Sequence, residues 1–88
     1  MGILKGGVTT TEVIVDETAT GTINGLNKVF TTSSDYIAGS LTVFLNGLQQ
    51  SRLGDYSETT TNSFTFVNSP TGGASPDVVT IRYVKVPT

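Results

Sequence analysis

The sequence predicts an all-β fold: a small antiparallel β-sandwich or partly open barrel of about six to eight short strands, with an N-terminal arm. Three observations carry this expectation. No window repeats apolar residues at i, i+3, i+4 and i+7, so the period of an amphipathic helix is missing. The stretch LTVFLN, from Leu41 to Asn46, alternates with period two, as a strand buried on one face must. Runs rich in valine, threonine, tyrosine and phenylalanine recur along the chain, separated by glycine, asparagine, serine and proline at close spacing.

Taken in order, residues 1–7 (MGILKGG) read as a flexible arm and residues 8–88 as one β-domain. Ile3 and Leu4 stand between Gly2 and Gly6-Gly7. Two readings of them stay open: a frayed terminus, or an arm that docks both side chains on a neighbour. Residues 8–16 form the first expected strand, with Val13 and Val15 on one face and Glu12, Ile14 and Asp16 on the other. Residues 21–27 (GTINGLN) are turn-rich, and residues 28–32 make a short strand carrying Val29 and Phe30. Residues 35–39 are a connection in which Tyr36 and Ile37 are expected to plug one end of the core.

Residues 40–46 are the clearest strand, with Leu41, Val43 and Leu45 inward and Thr42, Phe44 and Asn46 outward. Asn46-Gly47 is a two-residue hairpin signal, because a type I′ turn needs positive φ at both central positions. Residues 48–52 are expected to return antiparallel. Gly54-Asp55 then turns the chain into residues 56–59. Residues 63–67 place Phe64 and Phe66 on one face, and residues 68–76 (NSPTGGASP) make a long surface loop. Residues 77–86 close the domain, with Val79, Ile81 and Tyr83 inward and Arg82 outward. Phe44 and Val84 set bulk on the opposite face, which fits a second packed layer, a subunit interface or a barrel corner.

Size limits what such a chain can do alone. A domain of 88 residues buries only about 60% of the surface its unfolded chain exposes. Small domains add disulfides, metals or partner subunits, and this one has no cysteine and no histidine. Self-association or exceptionally good packing remains, and self-association is the expectation. Charged residues make up 14%, with a formal net charge of −2. Lys5, Lys28, Arg52, Arg82 and Lys85 are scattered, so no basic patch for nucleic acid forms. No run reaches the roughly 20 apolar residues of a membrane span, and the N-terminus carries no signal-peptide pattern. A soluble protein is expected, with neither a nucleic-acid nor a membrane partner.

Catalytic chemistry has few candidates. Without histidine or cysteine the common nucleophile–base pairs and zinc sites cannot be built. Seven carboxylates remain, Glu12, Asp16, Glu17, Asp35, Asp55, Glu58 and Asp77, but a glycosidase needs two of them across a cleft. Asp16-Glu17 lacks the spaced oxygen ligands of a calcium loop and reads as a solvated turn. Neither GTINGLN nor PTGG has the glycine spacing followed by lysine and serine or threonine that a P-loop needs, so their glycines read as turn formers. The seven aromatic residues, Phe30, Tyr36, Phe44, Tyr56, Phe64, Phe66 and Tyr83, fall mostly at inward positions, so core packing is expected before a stacking platform. No cofactor is expected.

A set of spaced motifs adds a family. Asn24-Gly-x-Asn27 leads into Val29-Phe30-Thr31, then Ser40-Leu41-x-Val43-Phe44-x-Asn46-Gly47, then Gly54-Asp55-Tyr56. Phe64 and Phe66 follow, and residues 77–86 close the pattern. In this joint spacing the chain resembles a recurrent β-domain of tailed-bacteriophage virion proteins. It departs in two places: TGGASPD stands where the family has a tight Gly-Asp turn, and Gln49-Gln50-Ser51 is more polar than usual.

The resemblance implies a non-enzymatic structural role and carries over no catalytic residues. The family occurs on heads and in tail, fibre and baseplate proteins. The first expectation is therefore a head decoration or cement protein in the virion, a homo-oligomer, as a trimer, bound to the major capsid protein or another virion protein. A tail-fibre, collar or tail-tip adaptor for host attachment is the alternative, and a carbohydrate-binding module a more distant one. Asn46, Gly47, Gly54 and Asp55 are the expected structural turns, and Ile3, Leu4, Leu48 and Gln49 the candidate partner contacts.

Overall fold

The computed structural model describes residues 12–87, and no helix forms among them. Seven strands do: β1 (Val13–Thr18), β2 (Val29–Thr31), β3 (Thr42–Leu45), β4 (Leu48–Gln49), β5 (Tyr56–Thr60), β6 (Ser63–Phe66) and β7 (Val79–Lys85). They make two antiparallel sheets, one of four strands ordered β1-β7-β3-β4 and one of three ordered β2-β6-β5. The expected small all-β fold is therefore present, and it is not a closed barrel. The arm at residues 1–7, with Ile3 and Leu4, and the first part of the expected first strand lie outside the described residues.

Alternation decides which side chains meet. In β7 the inward set is Val79, Ile81 and Tyr83, all nearly inaccessible, while Arg82 points to solvent. β3 sets Val43 opposite Ile81 and Leu45 opposite Val79, so the two strands fill one layer of the core. The three-stranded sheet supplies the other layer with Phe30, Tyr56, Phe64 and Phe66. Phe30 stands directly across from Phe64, and Tyr56 from Phe66. Phe66 meets Phe30 edge-on at 5.5 Å between ring centroids and Phe64 at 5.6 Å, the geometry that aromatic quadrupoles favour. Fully burying a ring such as Phe64 contributes roughly 1.5–3 kcal/mol, which is why aromatics carry a core this small.

Backbone bridges join the sheets at two places. Thr20 pairs with Thr31 just beyond the end of β1, which carries the chain from the first sheet to the second. Tyr36 pairs with Lys85, so the connection after β2 runs alongside the end of β7. Buried Tyr36 plugs the core as expected, and its hydroxyl donates to the Ser63 carbonyl at 2.6 Å. Ile37 does not: it is 42% exposed, because the strand-like pairing that turns Tyr36 inward must turn its neighbour outward.

Other expectations shift in detail. The hairpin return is ordered as strand over Leu48–Gln49 only, shorter than residues 48–52. The long loop before β7 is on the surface, yet Pro70 within it is buried, its carbonyl accepting from Gly25 N at 2.9 Å. At the Gly54-Asp55 corner the left-handed residue is Leu53, at φ 71°, one position before the glycine.

Candidate interaction surface

The expected turn residues hold the frame. Asn46 and Gly47 have φ of 52° and 84°, both positive as a type I′ turn requires. A lock behind this turn escapes sequence reasoning. The Asn46 amide donates to the Asp77 carboxylate at 2.9 Å and accepts from Val78 N at 2.8 Å, while Asn46 N donates to the Val78 carbonyl. The other Asp77 oxygen accepts from Thr71 N at 2.8 Å and so closes the loop that precedes β7. Those bonds, first from Asn46 and then from Thr71, hold the Asp77 carboxyl below its ordinary value.

The second corner works alike. The Asp55 carboxylate accepts from Ser51 N at 2.7 Å, and Asp55 N donates to the Ser51 carbonyl at 2.8 Å. In GTINGLN the Asn24 side chain accepts from both Leu26 N and Asn27 N at 2.8 Å, a cap for two otherwise unpaired donors. Asn27 in turn donates to the Val29 carbonyl at 2.9 Å, tying the turn to β2.

The carboxylates on β1, β5 and β7's approach are spoken for. Glu17 accepts from the Ser33 hydroxyl at 2.5 Å, Ser33 N at 2.9 Å and the Tyr83 hydroxyl at 3.0 Å. Burial pushes the Glu17 carboxyl up, but these three donors outweigh it and hold it below the usual range. Glu58 accepts from Gly39 N at 2.9 Å and lies 3.7 Å from Arg52. Burial, then the nearby Glu58 charge, pushes the Tyr36 hydroxyl up to about 12 and raises that of Tyr56 as well. Among the described residues no group of carboxylates converges in a way that could hold a metal ion.

The outer face of the four-stranded sheet carries one exposed apolar row, while Leu26, Val29, Leu53 and Val67 are exposed elsewhere. Ile14 lies opposite Val84, and Ile37 lies on the other side of Val84, its N–H donating to the Val84 carbonyl at 2.9 Å. These three make a β-branched row across the sheet, with Ile14 53% exposed. The next row carries Asp16, Arg82 and Thr42, and the Arg82 guanidinium grips Asp16 at 2.6 and 3.3 Å. That pairing raises the guanidinium above its ordinary value. Beyond it, Thr18, Thr80 and Phe44 border a shallow hollow.

The structure separates the candidate contacts. Leu48 (71% exposed) and Gln49 lie on β4 at one edge of this sheet, and Gln49 stands opposite Phe44. Ile3 and Leu4 fall outside the described residues. Of the Ile14–Val84–Ile37 row, sequence alternation places Val84 opposite the inward set and Ile14 opposite Val13 and Val15. Only the Tyr36–Lys85 pairing brings Ile37 beside them. Compared with protein families, curated proteins and solved structures, the chain finds no match in any of the three.

Proposed function

We propose that this chain is a structural protein of a bacteriophage virion, a decoration or cement protein that binds the capsid surface as a homo-oligomer, a trimer, and works without catalysis. One observation supports the reading above others. The residues that carry the phage resemblance coincide with the frame: Asn24 and Asn27 cap a turn, Asn46 locks β3 to the entry of β7, and Asp55 closes the next corner. Phe30, Phe64 and Phe66 of the same pattern form the aromatic core. A scaffold whose polar side chains are engaged in turns has area and shape to offer a partner.

Such a protein acts by complementarity. Each copy makes a modest contact, and symmetry-linked copies raise the effective concentration of the next contact, so attachment exceeds what one site would give. The outer face of the four-stranded sheet and residues 1–11 are the surfaces proposed for it. Quantitative mass spectrometry of purified virions, with a particle reconstruction, tests the assignment. Many copies spread over the head are expected. A few copies at the tail would replace this reading with the tail-adaptor one, and absence from virions would end both.

A further inference from the structure

We propose that the outer edge of β1 takes up residues 2–5 of a second copy of this chain as an added strand. This rests on the self-association part of the reading above and not on a place in the virion. Among the described residues β1 has a strand on one side only, with β7 as its neighbour in the sheet order. Such an edge leaves every second N–H and C=O without a strand partner, and an extended segment satisfies them by continuing the ladder.

The edge is apolar on both faces. Ile14 opens the outer row with Val84 and Ile37, while Val13, on the opposite face, is 49% exposed and Val15 beside it only partly buried. A strand that caps this edge therefore needs two consecutive apolar residues, one for each face. Ile3-Leu4 is such a pair. With Ile3 extending the Ile14–Val84–Ile37 row, Lys5 falls on the same outer face, two positions along. Its neighbour there is Asp16 if the added strand runs parallel to β1 and Glu12 if antiparallel. Either way the ammonium meets a carboxylate.

Other occupants fit less well. A second β1 along this edge would gather Glu12, Asp16 and Glu17 against themselves, with no cation on the strand. A second copy laid flat on the outer face meets roughly 14 by 20 Å, or about 300 Å². That is far below the roughly 800 Å² per partner of a stable interface. The chain's own segment meets a register problem. A tight hairpin that sets Ile3 against Ile14 must turn at Val8-Thr9, where β-branched residues resist positive φ. Turning at Gly6-Gly7 instead sets Ile3 against Thr10, about 13 Å short of Ile14.

Cysteine pairing tests this cleanly, because the sequence contains none. Full-length Ile3→Cys and Ile14→Cys proteins are mixed and oxidised, and the linked peptides are identified by mass spectrometry. Opposed positions on adjacent strands suit a disulfide, whose Cα atoms sit about 4.4–6.8 Å apart. A mixed Ile3–Ile14 dimer is expected, well above the yield with a Thr59→Cys control on β5. Equal yields, or no mixed dimer, would overturn the proposal. So would a doubly substituted chain that closes an intrachain bond while the mixtures stay unlinked. Sedimentation of the purified protein gives a second readout: Lys5→Glu should weaken self-association and Lys5→Arg should preserve it. Unchanged association in Lys5→Glu would also count against the added strand. Both readouts use protein free of particles, so their failure stays distinct from absence of the chain in virions.

Discussion

The side chains of Asn46 and Asp77, 31 positions apart in the chain, meet at 2.9 Å and join the tip of the β3–β4 hairpin to the start of β7. One amide thereby fixes two things: the turn that sets the register of β4, and the point where the longest loop re-enters the core. Replacing Asn46 with Asp keeps the size and the tolerance of positive φ but sets a carboxylate against a carboxylate. The expected result is a lower melting temperature at pH 7, partly recovered near pH 4 as one of the two protonates. Thermal melts at the two pH values check it. Asn46→Asp and Asp77→Asn combined should cost less than the sum of the two single effects, the mark of a direct contact.

Glycine positions in this fold should respond very unequally. A Cβ at Gly21 would sit 2.3 Å from the ring of buried Phe30, which has nowhere to move. Gly21→Ala should cost on the order of 1–3 kcal/mol in urea denaturation, the usual range for overpacking. Gly47→Val should also destabilise, by about 1–2 kcal/mol, because its φ of 84° disfavours a β-branched residue. Gly54→Ala should be nearly silent, since its Cβ meets only the exposed Ser51 side chain, at 3.2 Å from the hydroxyl and 3.5 Å from Cβ, and its φ is not positive.

Phe64 should be the most costly core position. It is fully buried and faces Phe30, Phe66 and Tyr56 at once. Phe64→Ala should cost about 3–5 kcal/mol, as large buried aromatics do. For a domain with a total stability of about 5 kcal/mol, that leaves little folded protein. Loss of near-ultraviolet circular dichroism at 25 °C would report it. Phe64→Leu should retain the fold with a reduced urea midpoint.

Stability should fall at both ends of the pH scale. Glu17 and Asp77 are held below their ordinary values, so under acid the unfolded chain takes up protons before the folded one. Their contribution is fully present above about pH 5 and is lost as pH falls through about 4 and below. Tyr36 behaves oppositely. Its hydroxyl is pushed up to about 12, so the unfolded chain ionises first near pH 10. Stability is complete below that pH and declines as pH rises towards 12. Urea midpoints across pH should show both limbs, with Glu17→Gln flattening the acid limb and Tyr36→Phe the alkaline one.

Much of the fold was legible because alternation and turn chemistry are local. Val79, Ile81 and Tyr83 read as inward from their spacing, and Asn46-Gly47 read as a hairpin from its need for positive φ. The chain does turn at Gly54-Asp55, but it is Leu53 that takes the left-handed conformation, and a leucine gives no local sign of doing so. Ile37 misled for a different reason. Apolarity beside Tyr36 says core, but a residue next to an inward strand position must face outward.

By itself the sequence determined the all-β class, the strand faces, the hairpin and the absence of histidine and cysteine, because each depends on neighbours within a few residues. Only the tertiary structure decided which sheet each strand joins, that β1 lies at an edge among the described residues, and that Ile14, Val84 and Ile37 form one row. It also decided that Asn46 reaches Asp77. These are pairings between distant segments, chosen by the packing of the two aromatic and aliphatic layers together, and no local pattern encodes them.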